Sequence, residues 1–384
     1  MTSNVISEAV IVEAVRTPVG RRNGALSEMH PADLAAEALS AVAERAGIDP
    51  ALINDVVMGC VLQVGDQSLN IARNAVLGAG YPESVPAVTI DRQCGSSQQA
   101  VHFAAQSIMS RTHDVVVAAG VESMSRVPMF SNTGGPGRPY GPLMRERYGF
   151  DEDVINQGVS ADKIARDRGF DRIRLDEIAT ESHRRAEQAR EEGRFDLEIT
   201  PVGDLKSDEG IRPGTSIDTL AKLNPAFAED GLHTAGNSSQ ISDAAAAIML
   251  MSPERAEELG LRPRARIVQL ALAADDPIMM LTAPWPATFK ALEQAGLTID
   301  DIDLFEVNEA FAAVLGAWLA ETGADYSKVN VNGGAISLGH PLGASGVRLM
   351  VTLLHELERT GGRYGLQTMC EGGGMANATI IERL

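Results

Sequence analysis

Two thiols and one imidazole lie in stretches of this sequence that are rich in glycine and other small residues. Cys94 is followed directly by a glycine, and Cys370 precedes three consecutive glycines at 372–374. His340 lies within a third stretch of this kind, 333–343. Glycine lets the backbone approach a ligand closely, and cysteine is a strong nucleophile when a base or a low pKa activates it. The combination therefore predicts covalent acyl chemistry at a cysteine.

Cys94 is the stronger candidate for the nucleophile. Apolar residues at helical spacing follow it, so the thiol would lie at the positive end of a helix, with Ser96 and Ser97 as capping hydroxyls. Such a position lowers the pKa of a thiol, and we expect Cys94 to be a thiolate near neutral pH. His340 is then expected to act as a base or as a donor to an oxyanion.

The elements around these residues follow an α/β rhythm. Residues 9–12, 55–58 and 114–118 are β-rich runs, whereas 31–46 has the composition and periodicity of a helix. In each half of the chain a strand is followed, at similar spacing, by a reactive residue, a helix and another apolar strand. Repeats at such long spacing indicate a duplicated βαβ unit, with the reactive residues around a shared cleft.

The expected domain organisation has three parts. The N-terminal half is 1–122, completed by about 237–265, and the C-terminal half is 266–384. Between them, 123–236 is predicted to be an inserted loop or lid subdomain, because glycine and proline interrupt the pattern there. A charged helical stretch is expected within the insertion.

Composition and charge exclude several classes of function. A formal net charge of -19 on 384 residues argues against binding to nucleic acid or to anionic membranes. The sequence shows neither a signal-peptide pattern nor a long apolar run, so we expect a cytoplasmic protein without a membrane partner. Its three cysteines form no Cys-x-x-Cys pair, and neither a disulfide framework, a metal site nor a prosthetic group is expected.

Four blocks of this sequence resemble the signature motifs of the thiolase family, and they occur in the same order. They are the segment around Cys94, then 308–312, 333–343 and 370–374. The stretch 16–20 also resembles that family, and the likeness runs from about residue 9 to the C-terminus. The segments 91–100, 239–243 and 362–384 look most like actinobacterial thiolases of steroid catabolism.

This resemblance implies the thiolase fold, in which two similar halves form a layered α/β/α/β/α core with an inserted loop subdomain. It also implies roles for individual residues. Cys94 would become acylated, His340 would take its proton, and Cys370 would exchange a proton with the α-carbon of the acetyl unit. Asn308 would orient a water that forms one oxyanion hole with His340. The backbone amides of Cys94 and Gly372 would form the other.

Binding residues follow from the same resemblance. Those expected to contact coenzyme A, as a cosubstrate, are Arg212, Ser239, Ala310 and Phe311. Those expected to border the acyl pocket are Asn156, Gln157 and Met280. Acetoacetyl-specific thiolases usually carry a His-Met pair where this chain has Asn156-Gln157. A larger or more polar 3-oxoacyl chain is therefore expected.

The resulting interpretation is an acyl-CoA C-acyltransferase that cleaves 3-oxoacyl-CoA with coenzyme A, through an acyl-cysteine, in fatty-acid or steroid degradation. The partners expected are these two substrates and further copies of the chain, in a homodimer or homotetramer. Three alternatives stay open: a biosynthetic acetoacetyl-CoA thiolase, a non-catalytic acyl-CoA or lipid-binding protein of the same fold, and a β-ketoacyl synthase. The last would carry a histidine in place of Asn308 and would lack Cys370.

Overall fold

A computed structural model describes residues 7–151 and 155–384 of the chain. Its longer strands are rich in valine, isoleucine and alanine and are buried on both faces, as in sheets covered by helices on each side. In chain order the strands are β1 Val10–Arg16, β2 Gly20–Arg21, β3 Asp55–Gly59, β4 Ala87–Ile90, β5 Val115–Ser123, β6 Ser242–Met251, β7 Ala265–Ala274, β8 Leu304–Val307, β9 Tyr364–Glu371 and β10 Met375–Arg383.

Helices alternate with these strands, and their ends follow ordinary capping chemistry. The first begins at Pro31, ends at Ala46, and is followed by Gly47 in the left-handed conformation with φ 68°. In chain order the helices are α1 Pro31–Ala46, α2 Ile71–Gly78, α3 Ser96–Met109, α4 Pro142–Tyr148, α5 Gln157–Asp167, α6 Arg172–Glu191, α7 Ile217–Leu220, α8 Pro253–Glu258, α9 Pro284–Ala295, α10 Ala312–Thr322, α11 Ala335–Leu338 and α12 Ser345–Thr360.

The strand order repeats between the two halves. The strands lie in the order β4-β3-β5-β6-β1-β7-β10-β9-β8, with β2 beside β6. β3 is parallel to β5, and β8 is likewise parallel to β9. β3 is also parallel to β4. The remaining pairs within the two halves are antiparallel. The series β3-β5-β6-β1 therefore recurs as β8-β9-β10-β7, which confirms the predicted duplication. The halves join edge to edge where β1 meets β7 at Val10 and Ile11.

Helices cover both faces of this strand arrangement in layers. α3 and α12 pack against each other in the middle, and α12 contacts strands of both halves. α1 and α2 cover the outer face of the N-terminal half, and α9 and α10 cover that of the C-terminal half. This is the α/β/α/β/α layering expected from the sequence. α12 is buried on all sides from Ser345 to Leu357, as its central position requires.

Glycines bring the two middle helices and their preceding loops together. A Cβ on Gly346 of α12 would overlap the backbone nitrogen of Gln98 on α3, and one on Gly120 of β5 would overlap the carbonyl oxygen of Gly343. Only glycine permits approaches this close between backbones. The loops that carry Cys94 and His340 are therefore held against the same region of the core.

The segment between β5 and β6 is tied to the core by a buried charge network. Arg16 of β1 is fully buried, and its Nε lies 2.6 Å from Glu198 while Nη1 lies 2.7 Å from Asp208. Glu198 also accepts from the hydroxyl of Thr352 on α12 at 3.0 Å. The segment therefore has a fixed position over the C-terminal half, where α5 and α6 pack on α10.

Candidate active site

Cys94 lies in the turn between β4 and α3. The helix begins at Ser96, with Gly95 as the N-cap residue. The Ser96 hydroxyl is folded back onto the turn, and Ser97 Oγ accepts from the N–H of Val347 on α12 at 2.9 Å. The prediction that these two serines cap the helix is wrong, because their hydroxyls fix the turn and join the two middle helices.

The thiol of Cys94 is buried, with 5% of the residue exposed. Burial raises the pKa of this thiol well above its usual value, and the neighbouring Cys370 and Glu371 raise it further. The pKa is therefore raised where the sequence predicted it to be lowered, so the prediction of a thiolate near neutral pH is wrong. Cys94 is a neutral thiol at pH 7 and requires a base.

Hydrogen bonds fix the ring orientation and the tautomer of His340. Its Nδ1 lies 2.6 Å from Ser345 Oγ, and Ser345 donates to the Pro341 carbonyl at 2.8 Å. Because a hydroxyl has one hydrogen, we assign the ring proton to Nδ1, which leaves the lone pair on Nε2. Burial, and then the charge of Arg348, lowers the pKa of His340 to about 3. The ring is therefore neutral at pH 7 and accepts a proton through Nε2.

Asn308 lies directly after β8 and faces the histidine. Its own N–H donates to the Thr368 carbonyl at 3.0 Å, and its Nδ2 lies 3.4 Å from His340 Nε2. The side chain is fully buried, and its Oδ1 has no hydrogen-bond partner in the described part of the chain. A buried amide oxygen is costly to leave unpaired, so this atom is available to a bound molecule.

Cys370 lies within β9, one residue before its end. Burial, and then Glu371, raises the pKa of its thiol to about 12. The charge of Cys370 also raises the pKa of Cys94. The glycines at 372–374 form the turn into β10, and Gly372 lies against the side chain of Gln93 in the Cys94 turn.

Glu122, near the end of β5, stabilises these loops by hydrogen bonds. No pattern in the sequence indicated this role. Its buried carboxylate accepts from the backbone N–H groups of Val61 at 2.9 Å, Leu62 at 3.2 Å and Gly343 at 2.8 Å. It also accepts from Gln67 Nε2 at 2.6 Å. The carboxylate therefore joins the loop after β3 to the loop that carries His340.

Two neighbouring cavities open beside these residues. The larger cavity, of about 690 Å³, is lined in part by His340, and the smaller cavity, of about 320 Å³, is lined in part by Cys94 and Gly372. The residues that line both are Met129, Phe130, Gln157 and Leu342. The two cavities therefore adjoin, with Cys94 in the lining of the smaller one and His340 in the lining of the larger one.

The larger cavity contains every residue that was expected to contact coenzyme A. Those residues are Arg212, Ser239, Ala310 and Phe311. Arg21 and Arg22 also line it, and the sequence interpretation missed them. Their position directly after the 16–20 block was a usable signal, because a polyanionic ligand of an acidic protein needs a local cluster of arginines.

The residues expected at the acyl pocket divide between the cavities. Gln157 and Met280 line the smaller cavity beside Cys94. Asn156 lines the larger cavity instead, and its Oδ1 caps α5 by accepting from the N–H groups of Gly158 at 3.0 Å and Val159 at 3.3 Å. Gln157 is therefore the member of this pair that lies near the nucleophile.

A candidate metal centre and a candidate membrane-spanning helix are absent from the described residues. Within 7–151 and 155–384, three or more His, Cys, Asp or Glu side chains do not come together in a way that could hold a metal ion. In the same ranges, none of the helices has the length and apolar character needed to cross a membrane.

Family models match nearly the whole chain. The model described as "Thiolase, N-terminal domain" matches residues 9–254, and the model described as "Thiolase, C-terminal domain" matches residues 261–383. Together the two matches span all the residues of the site described above.

Individual proteins give the same result. The chain is 51% identical over 392 residues to "Steroid 3-ketoacyl-CoA thiolase FadA6" of Mycobacterium tuberculosis, covering 99% of this chain and 95% of that protein. It is 45% identical to "Acetyl-CoA acetyltransferase" of Syntrophomonas wolfei, covering 98% of this chain and 99% of that protein. The crystal structure of the Bacillus anthracis acetyl-CoA acetyltransferase superposes with a TM-score of 0.91 at 39% identity, over 100% of both chains.

Proposed function

This chain belongs to the thiolase family, and we propose that it cleaves 3-oxoacyl-CoA with coenzyme A, through an acyl group on Cys94. The observation that carries this proposal is the arrangement at the junction of the two cavities. The smaller cavity is lined by the Cys94 thiol and the larger one by His340, whose Nε2 lies 3.4 Å from Nδ2 of Asn308. The buried thiol of Cys370 acts on the pKa of Cys94. Acyl transfer to and from a cysteine needs these groups.

The first half-reaction cleaves the 3-oxoacyl chain. His340 Nε2 takes the proton of the Cys94 thiol, and the sulfur attacks the 3-oxo carbon of the substrate. The bond between carbons 2 and 3 then breaks, which leaves the acyl group on Cys94 and an acetyl-CoA carbanion. Cys370 protonates that carbanion at carbon 2, and its raised pKa keeps this thiol protonated until then.

The second half-reaction returns the acyl group to coenzyme A. The Cys370 thiolate takes the proton of the incoming coenzyme A thiol, whose sulfur attacks the acyl carbonyl on Cys94. The Cys94 thiolate leaves and recovers its proton from His340, so that each group ends in its starting state. An oxyanion forms in each half-reaction and needs hydrogen-bond donors. We assign His340 and the water held by Asn308 to one oxyanion hole, and the backbone amides of Cys94 and Gly372 to the other.

The larger cavity is the proposed coenzyme A site. Arg21 and Arg22 enter it from β2 and the loop after it, and Arg212 enters it from the segment between β5 and β6. These three arginines supply positive charge on a chain whose formal net charge is -19. We propose that they hold the phosphates, while Ser239, Ala310 and Phe311 contact the rest of the cofactor chain.

The smaller cavity is the proposed acyl pocket. It extends from Cys94 to side chains that are mostly apolar, with Gln157 as a hydrogen-bonding group near the nucleophile. Its volume is about 320 Å³. The name of the relative that is 51% identical includes a steroid 3-ketoacyl-CoA substrate, so we propose a bulky acyl group and a role in degradation.

A homodimer or homotetramer is the proposed assembly. β4 is the edge strand of the N-terminal half, and apolar side chains near it are exposed. They are Leu69 at 89%, Leu77 at 45% and Val88 at 43%. A sheet edge with apolar neighbours supports pairing with a second copy, which sedimentation or mass photometry would measure.

A substrate panel tests the proposed reaction. Thiolysis is assayed with coenzyme A and 3-oxoacyl-CoA esters that range from acetoacetyl to bulky cyclic groups, and kcat/KM is compared. We expect the highest kcat/KM with a bulky ester. A preference for acetoacetyl-CoA would favour the biosynthetic alternative, and a failure to turn over any ester while binding them would favour the non-catalytic one.

A further inference from the structure

Glu371 is a buried carboxyl group that the proposed reaction does not use, although it directly follows Cys370. The residue is 0% exposed, and neither carboxyl oxygen has a hydrogen-bond partner in the described residues. Arg92 is near enough for its charge to act on Glu371. However, its Nη1 is directed at Met375 Sδ, 3.9 Å away, and its Nε is also unpartnered within the described ranges.

The Glu371 carboxyl faces the side chain of Asn377 across the β9–β10 hairpin. Glu371 pairs in register with Met375, so Asn377, two residues further along β10, projects on the same face. A Cβ built on Gly95 would overlap both Glu371 Oε1 and Asn377 Oδ1. These two oxygens therefore share one small space beside the turn that carries Cys94.

The side-chain amide of Asn377 is oriented so that its Oδ1, and not its Nδ2, faces Glu371. Its Nδ2 donates to Gln99 Oε1 on α3 at 3.1 Å, while its Oδ1 has no partner in the part of the chain that is described. Two acceptor oxygens that face each other in a buried site repel unless a proton lies between them. A protonated carboxyl group supplies that proton.

The charges around Glu371 are compatible with a neutral acid. Asp91 and Arg92 face it from the turn before α3, and Cys94 and Cys370 are the titratable thiols beside it. The other contacts named above, Gln99, Met375 and Asn377, are uncharged. Burial raises the pKa of Glu371 to about 8, against the opposite effects of Arg92 and of the nearby backbone N–H of Asn377, while Asp91 raises it further.

We propose that Glu371 is a positioning residue that stays a neutral carboxylic acid at physiological pH, donates to Asn377 Oδ1, and suppresses thiolate formation at Cys94 and Cys370 when it ionises. The hydrogen bond fastens the β9–β10 hairpin beside the Cys94 turn. The effect of Glu371 on catalysis rests on the proposed roles of the two cysteines, whereas its protonation and its hydrogen bond do not.

The electrostatic consequence has a definite sign. An ionised Glu371 raises the pKa of both thiols, because a negative charge opposes the formation of a second one nearby. The neutral acid has no such effect. When Glu371 ionises at alkaline pH, a smaller fraction of Cys94 is therefore thiolate than would be if residue 371 were uncharged.

The experiment compares wild-type protein with Glu371→Gln, whose amide stays uncharged and still donates to Asn377 Oδ1. The rate of alkylation of Cys94 by iodoacetamide, identified by peptide mass, is measured between about pH 6 and pH 10. We expect equal rates near neutral pH, and a rate at least about threefold higher in Glu371→Gln at alkaline pH. Glu83→Gln, on an exposed loop, is the matched control and should follow wild type throughout.

Two outcomes would overturn the proposal. A higher rate for Glu371→Gln already at pH 6 would mean that Glu371 is ionised and that Asn377 points its Nδ2 toward it. Equal rates at every pH would mean that Glu371 does not act on the thiol. Alkylation requires no acyl transfer, so a failure here is distinguishable from a failure of the proposed function.

A second measurement, with Glu371 left in place, covers the case in which Glu371→Gln does not fold. Burial also raises the pKa of Glu306 to about 8, so infrared difference spectroscopy is done on Glu306→Gln and should show the carbonyl stretch of a buried carboxylic acid disappearing between neutral and alkaline pH. The absence of such a band at neutral pH would also overturn the proposal.

Discussion

His340 is held between Ser345 at Nδ1 and Asn308 at Nε2, and this arrangement decides which proton it can accept. At the scale of single residues, the sequence blocks identified the candidate side chains, because thiol, imidazole and amide chemistry is a property of residue type, and the roles of these side chains stay a prediction. The blocks did not predict protonation. The pKa of Cys94 depends on burial and on Cys370 and Glu371, which approach it only through the fold.

Asn308→Ala should lower kcat while changing KM little. The substitution removes the Oδ1, which has no partner among residues 7–151 and 155–384, and the Nδ2 beside His340, and hence the proposed support for one oxyanion. The loss of a single oxyanion donor lowers kcat roughly 100- to 1000-fold. Steady-state thiolysis measures the effect, and a kcat equal to that of wild type would remove Asn308 from the mechanism.

Gln157→Met should shift specificity toward acetoacetyl-CoA. Glutamine hydrogen-bonds an oxygen on a large acyl group, whereas methionine can only pack against it. Gln157 lines both cavities, so its loss should affect bulky or oxygenated esters most. The ratio of kcat/KM values for a bulky ester and acetoacetyl-CoA measures the shift. Asn156 is left unchanged because it caps α5, and an unchanged ratio would contradict the pocket assignment.

At the scale of elements, contact between α3 and α12 sets the distance between the Cys94 turn and the His340 loop. Sequence periodicity predicted both helices and the duplicated order of strands, since hydrophobic spacing is a local signal. It did not predict that Ser97 would bond to the start of α12, or that Glu122 would join two loops. Those contacts join residues far apart in sequence, and a single sequence carries no mark of such pairs.

Gly346→Ala should destabilise the protein and reduce activity. The added Cβ would overlap the backbone nitrogen of Gln98, so α3 and α12 must separate. Overpacking of this kind costs roughly 1–3 kcal/mol of unfolding free energy. Urea unfolding and thiolysis measure the two effects. Gly135→Ala is the control because its Cβ would meet open space, and equal stability of both variants would contradict the packing argument.

At the scale of the whole molecule, the segment between β5 and β6 supplies lining to both cavities while being anchored by charges buried in the core. The sequence predicted an insertion over the cleft from its glycine and proline content. It did not predict the anchor, because Arg16, Glu198 and Asp208 are widely separated and each alone looks like a surface residue. The expected domain boundaries stay a prediction.

Arg16→Met should destabilise the protein by roughly 3–5 kcal/mol, because Glu198 and Asp208 would remain buried without their partner. Urea unfolding measures the change. Arg255→Met, which removes a surface pair with Glu258, is the control and should cost less than about 1 kcal/mol. A small effect of Arg16→Met would mean that other contacts fix the segment.

The assignment of Cys94 as the acyl acceptor and Cys370 as the proton carrier is tested most directly by intact mass after incubation with acetyl-CoA. Wild type and Cys370→Ala should each gain one acetyl group, and Cys94→Ala should gain none. Cys370→Ala should nevertheless lose thiolysis activity by roughly 100-fold or more, since general acid–base catalysis is removed. Acetylation of Cys94→Ala at another residue, or a wild type that stays unmodified, would contradict the account.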